Sequence, residues 1–134
     1  MVAPHQAGTT KKNARGARIP PHADNVGPTA PGLEPAIIDN AVNLIAPFED
    51  SDPRTHPLRI ANPAALLAAK AVKVAERGQD AGRQPGRLRD KDALDMFRLL
   101  QAIDTGNLAA GLRSHRREPR AARVSTDAVQ FIAR

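Results

Sequence analysis

The sequence predicts an α+β fold: a small antiparallel hairpin followed by α-helices, preceded by a disordered arm. Three observations lead there. Two short apolar, β-branched runs flank an acidic turn that ends in Pro53. Two later stretches repeat their apolar residues with a helical period and carry helix-start signals. The first 31 residues show no period at all.

Residues 1–31 hold Pro4, Pro20, Pro21, Pro28 and Pro31, the bases Lys11, Lys12, Arg15 and Arg18, and no acid before Asp24. Such a segment has little to bury and reads as a flexible basic arm. His5 and His22 stand in it without a convergent ligand set. Next come the apolar runs Ala36-Ile37-Ile38 and Val42-Asn43-Leu44-Ile45, separated by the turn-competent Asp39-Asn40. Val42–Phe48 and Leu58–Ala61 are expected to pair as a hairpin around Glu49-Asp50-Ser51-Asp52-Pro53. Those acids read as a solvated turn.

Asn62-Pro63 opens a helix, with an N-cap residue before Pro at the first helical position. Strong helix formers continue to Arg77, and Gly78 is placed to end it. At 100° per residue Leu67, Ala71, Val74 and Ala75 share the core arc; Lys70 and Arg77 lie beside it with Lys73 flanking. Residues 79–88 form a connector. A second helix is expected over about Asp90–Ile103, its apolar arc built from Ala93, Met96, Phe97, Leu99, Leu100 and Ile103. Weaker helices are expected at about Asn107–Arg116 and, after a Ser125-Thr126 cap, Asp127–Ala133. The domain reading is therefore a basic arm (1–31), a folded portion (32–104) and an Arg-rich helical tail (105–134).

Composition bounds this fold. Of 134 residues, 25 are Ala, while Leu, Ile, Val and Phe together number 28. That share lies close to the roughly 20% below which highly charged chains stay unfolded, so the core should be thin. The net charge of +6 favours polyanionic partners, although 15 Arg beside abundant Ala also fits a GC-rich coding bias. Three aromatics, all Phe, make a stacking platform for single strands a poor fit. No Cys is present, which excludes disulfides and thiolate chemistry. No apolar run reaches the ~20 residues of a membrane span, and no apolar leader opens the chain. A soluble cytoplasmic protein is expected.

The candidate site joins the two central helices. Asp92 falls between Met96 and Leu99 on the buried arc of the second helix, and Asp95 lies at its edge. Facing them, Lys70 and Arg77 could hold a phosphate, with Lys91 and the helix N-terminus adding positive charge. Asp92 would orient Lys70 by a charge-assisted hydrogen bond. The alternative is plainer: Asp90 and Asp92 complement the helix dipole while Lys70 and Lys73 extend into water. No Walker loop, G-x-S-x-G or H-E-x-x-H occurs. Ser51, Ser114 and Ser125 read as loop residues, and His115, set among arginines, reads as a solvated tail residue.

Several of these segments together resemble the abortive-infection, type IV toxin nucleotidyltransferases, in particular their actinobacterial branch. The matching text is Arg15-Gly16-Ala17-Arg18-Ile19-Pro20-Pro21-His22, Gly32-Leu33-Glu34 with Ile38-Asp39-Asn40, Asn62-Pro63-Ala64-Ala65-Leu66-Leu67-Ala68-Ala69-Lys70 with Glu76-Arg77, and Lys91-Asp92-Ala93-Leu94-Asp95. It spans about residues 15–104. The resemblance implies a polymerase-β-like nucleotidyltransferase fold that uses Mg²⁺ and a nucleoside triphosphate to modify an RNA or protein acceptor. It makes Lys70 similar to the triphosphate-contacting Lys, and Lys91, Asp92 and Asp95 similar to the supporting motif. The family's Gly-Ser motif and paired-acid strand have no counterpart before residue 15. The resemblance thus implies the C-terminal half of such a fold, read as a truncated gene product, inactive alone and partnered by RNA or by the missing catalytic half. The other reading is a small basic protein binding nucleic acid or an acidic partner, weakly and without sequence preference, through the Lys11–Arg18 arm and the Arg113–Arg123 stretch.

Overall fold

The structure is a computed structural model that describes residues 3–4, 16–17, 27–87 and 90–133. Three short strands come first: β1 (Ala3–Pro4), β2 (Gly16–Ala17) and β3 (Gly27–Ala30). β3 is central, parallel to β1 and antiparallel to β2. The segment expected to lack regular structure thus contributes backbone pairing, which needs no apolar period and leaves no trace in hydropathy. Lys11, Lys12, Arg15, Arg18, His5 and His22 lie outside the described residues.

Helix α1 (Glu34–Ile38) takes up Ala36-Ile37-Ile38, the first of the short apolar runs. Pro35 supplies the first helical turn with a preset φ, and α1 packs on the long helix behind it. Then β4 (Asn40–Ile45) and β5 (His56–Ala61) form the expected antiparallel hairpin, with Asn40 opposite Ala61 and Ile45 opposite His56. Both strands begin two residues earlier than the sequence suggests and β4 ends three earlier, while β5 ends at Ala61 as expected, because pairing register rather than the extent of an apolar run sets their ends.

Helix α2 (Pro63–Asp80) is the spine. It runs two residues past Gly78, where the backbone stays helical. A single turn of 3₁₀ helix (Pro85–Arg87) leads to α3 (Asp90–Ala102), which is followed by α4 (Thr105–Arg117) and α5 (Ala122–Ile132). Asp104 caps α4: its side chain accepts from the Asn107 backbone N–H at 3.0 Å. Helix α5 starts at Ala122, five residues before the expected first helical residue, Asp127. Ser125 and Thr126 lie inside it, and the Thr126 hydroxyl donates back to the Ala122 carbonyl.

The core joins Ala64, Leu67, Ala68, Ala71 and Val72 of α2 to Leu108 and Leu112 of α4 and to Val124 and Ala128 of α5. Met96, Leu99 and Ile103 close it from the α3 side. The region from 105 onward is therefore a wall of the core and not a tail. Its apolar residues are spaced by four (Leu108 and Leu112, Val124 and Ala128), a stripe that the intervening arginines mask in the sequence. Alanine dominance of α2 lets its neighbours approach closely. A Cβ on Gly111 would sit 2.5 Å from that of Ala64, so α4 reaches α2 only without a side chain there. Gly32 serves likewise at the start of α1, with φ of +94° and Val72 directly behind it.

Candidate functional site

Helices α2 and α3 meet along a polar seam. Lys70, Lys73 and Arg77 project from one side of α2 because spacings of three and four bring residues onto one helical face. Opposite them, Asp92 is the only buried residue of α3. Lys70 Nζ donates to Asp92 Oδ1 at 3.2 Å and to Asp95 Oδ2 at 2.6 Å. Arg77 Nη1 donates to the other oxygen, Oδ2, of Asp92. Lys73 Nζ stands farther off, 3.9 Å from Asp92. Asp92 thus lies under three cations, which is how a carboxylate tolerates a place on an apolar arc. Lys70 and Asp95 keep about a quarter of their side-chain surface in water.

The electrostatics follow from this geometry. Burial by itself pushes the Asp92 carboxyl up, but the hydrogen bond from Lys70 and the charges of Lys73, Arg77 and Lys70 outweigh it and hold the group below its ordinary range. Asp95 is lowered mainly by its hydrogen bond from Lys70. Lys70 is raised, chiefly through Asp95 and, against the cost of burial, through Asp92. The structure therefore brings together four of the five site residues expected from the sequence. Lys91 is exposed and forms no ion pair with this seam; it reaches Asp95 only through its field.

On the adjoining face of α2 an apolar cleft of about 300 Å³ opens between α2, α3 and α5, lined by Ala71, Val74, Ala75, Gly78, Met96 and Phe131 with Gln79 at its edge. Among the described residues no group of three or more His, Asp or Glu is placed to hold a metal ion. Asp92 and Asp95 are committed to cations, so this donor set suits an anion better than Mg²⁺.

A second polar centre escapes the sequence reading. His115, expected in solvent, is 2% exposed, and its Nε2 lies 2.7 Å from Asp39 Oδ2. Asp39 Oδ1 in turn accepts from Asn62 Nδ2 at 2.7 Å, and the Asn62 N–H donates to the Asp39 carbonyl. Asn62 thus spends its side chain on Asp39 and makes no cap bond at the start of α2. The chain of contacts ties the α1–β4 junction to the last turn of α4. One signal for it was present: Leu108, Leu112 and His115 fall on one helical face, so the histidine continues a buried stripe. Its Nδ1 and the hydroxyl of Ser125, also expected in a loop, are buried and make no hydrogen bond among the described residues.

No family model, curated protein or solved structure matches the chain. Among the described residues no helix is long and apolar enough to cross a membrane.

Proposed function

We propose that this chain is the triphosphate-orienting portion of a nucleotidyltransferase-type fold, binding a nucleoside triphosphate at the α2–α3 seam without transferring it. The observation that carries this reading is the seam's charge count: Lys70, Lys73 and Arg77 against Asp92 and Asp95, one positive charge in excess at a partly open boundary. Lys70 uses two donors on carboxylates and has a third left for a phosphate oxygen. Its position is fixed beforehand, which lowers the entropic cost of binding. The resemblance around Lys70 and Lys91–Asp95 points the same way. Mg²⁺ would arrive with the nucleotide, and the Gly-Ser motif with paired acids that holds metal in the resembled family has no counterpart before residue 15. On this reading the chain alone does not transfer a nucleotide, and labelled-nucleotide assays with Mg²⁺ or Mn²⁺ should detect no transfer to RNA or protein by the purified chain.

Titration with ATP, followed by calorimetry, tests the binding. Lys70→Ala should weaken it roughly tenfold, about 1.4 kcal/mol. Asp95→Ala should leave affinity equal or higher because it releases Lys70, even though it weakens the seam. If ATP does not bind, or if both variants lose affinity in proportion to their stability, the seam is a structural clasp and the proposal fails.

One further observation favours a second reading. Arg113, Arg116, Arg117 and Arg123 are exposed, and of that stretch only Arg120 has an ion-pair partner, Glu118, among the described residues. A nucleic-acid surface there would bind with steep salt dependence, and charge removal at Arg116, Arg117 and Arg120 would weaken it similarly for all sequences. Lys70→Ala would leave such binding unchanged.

A further inference from the structure

The hairpin of β4 and β5 carries aliphatic side chains on both faces and buries neither. By the pleat, Val42, Leu44 and Pro57 share one face, and Ile45, Leu58 and Ile60 share the other. Every one of these is exposed, Leu44 by 70% and Val42 by 57%. Two strands alone make a marginal sheet, so such a surface calls for further strands.

Its two edges are not equivalent. β5 has α1 packed against it and contains Pro57, which lacks an N–H donor and marks an edge strand that does not accept a neighbour. Among the described residues β4 packs extensively only on β5, and its sequence Asn-Ala-Val-Asn-Leu-Ile carries no charge and no Pro. The usual protections of an open edge are missing there.

From this edge we infer that two copies of the chain pair β4 against β4, antiparallel, into a four-stranded sheet. Twofold symmetry restricts the register to one centred on a residue. Centring on Asn43 pairs all of Ala41–Ile45: Val42 of each copy meets Leu44 of the other on one face, and Ala41 meets Ile45 on the opposite face. An uncharged strand meets no repulsion from its own copy. Charge complementarity further favours a second copy as the occupant. The loop beyond β4 carries Glu49 and Asp50, while Asp52 is taken up by Arg54. The base of β4 adjoins the last turn of α4 through the Asp39–His115 contact, and Arg116 and Arg117 of that turn are exposed. Antiparallel pairing carries the acidic loop of each copy past the base of the other, where that basic turn lies.

Sedimentation at 0.15 M salt across about 1–500 μM chain tests this. The mass should double from 14.3 kDa with a midpoint of roughly 10–100 μM, since the interface is small. Val42→Lys with Leu44→Lys should abolish the dimer while leaving the helical circular dichroism unchanged, and the melting temperature unchanged at chain concentrations well below the dimer midpoint, as both sites are exposed. The chain contains no Cys, so Asn43→Cys should form a covalent dimer rapidly under mild oxidation, and Leu58→Cys on the other strand should not. A wild-type chain that stays monomeric throughout overturns the inference. So does a dimer that tolerates both lysines, or one that crosslinks through residue 58 in preference to residue 43.

Discussion

Two polar clasps hold peripheral elements to α2, and they differ in their access to water. At the head of the helix, Asn62, Asp39 and His115 form a single file of hydrogen bonds with the imidazole almost completely enclosed. Along its second half, Lys70, Lys73 and Arg77 share Asp92 and Asp95 across a boundary that stays partly wet. When the imidazole is removed from the first, it leaves an enclosed gap, since His115 is 2% exposed while Asp39 keeps about a quarter of its side-chain surface in water. In the second, the cations that remain can turn outward. Equal numbers of contacts should therefore carry unequal weight.

The sharpest test is His115→Ala. It opens a cavity, leaves the Asp39 carboxylate with Asn62 alone and detaches the hairpin base from α4, so unfolding free energy should fall by about 3 kcal/mol. Denaturant titration measures it. A loss no greater than that of a surface substitution would erase the contrast between the clasps. Asp92→Ala comes next, at about 2 kcal/mol, because it strips Arg77 of its partner and leaves Lys70 with only Asp95.

Acid should reproduce part of that loss in the unmodified chain. Asp92 and Asp95 are held below their ordinary values when folded, so their contribution is complete above the unfolded value of about 3.9 and disappears as pH falls through the lower folded values. The stability difference between the wild type and an Asp92→Asn, Asp95→Asn variant should therefore be constant above about pH 4 and shrink below it. Lys70, raised on folding, behaves in the opposite sense: its contribution is complete below about 10.4 and declines as pH climbs through the higher folded value. A difference that stays flat into strong acid would mean that these carboxylates are not the source. The smallest effect belongs to Lys73→Ala, within about 0.5 kcal/mol, since its ammonium is 3.9 Å from Asp92 and half exposed. A loss above 1 kcal/mol there would give Lys73 a structural role that its distance does not support.

Local rules account for much of this molecule. Asn62-Pro63 marked the start of α2, the apolar period marked α3, and β-branched runs around an acidic turn marked the hairpin, because each depends on residues a few positions apart. The Lys70–Asp92 contact was legible for the same reason: an acid on an apolar arc demands a cation, and α2 offered one at matching spacing. Asp39 and His115 lie 76 residues apart. No local pattern relates them, and only the packing of α4 against α2, which Gly111 permits, brings that imidazole to the head of the hairpin. The same packing turned an Arg-rich stretch into a core wall and drew Ser125 out of an expected loop into a helix. Periodicity and caps report what a segment does with its own neighbours. Which faces meet, and which groups lose water when they do, is decided only once the helices have closed on one another.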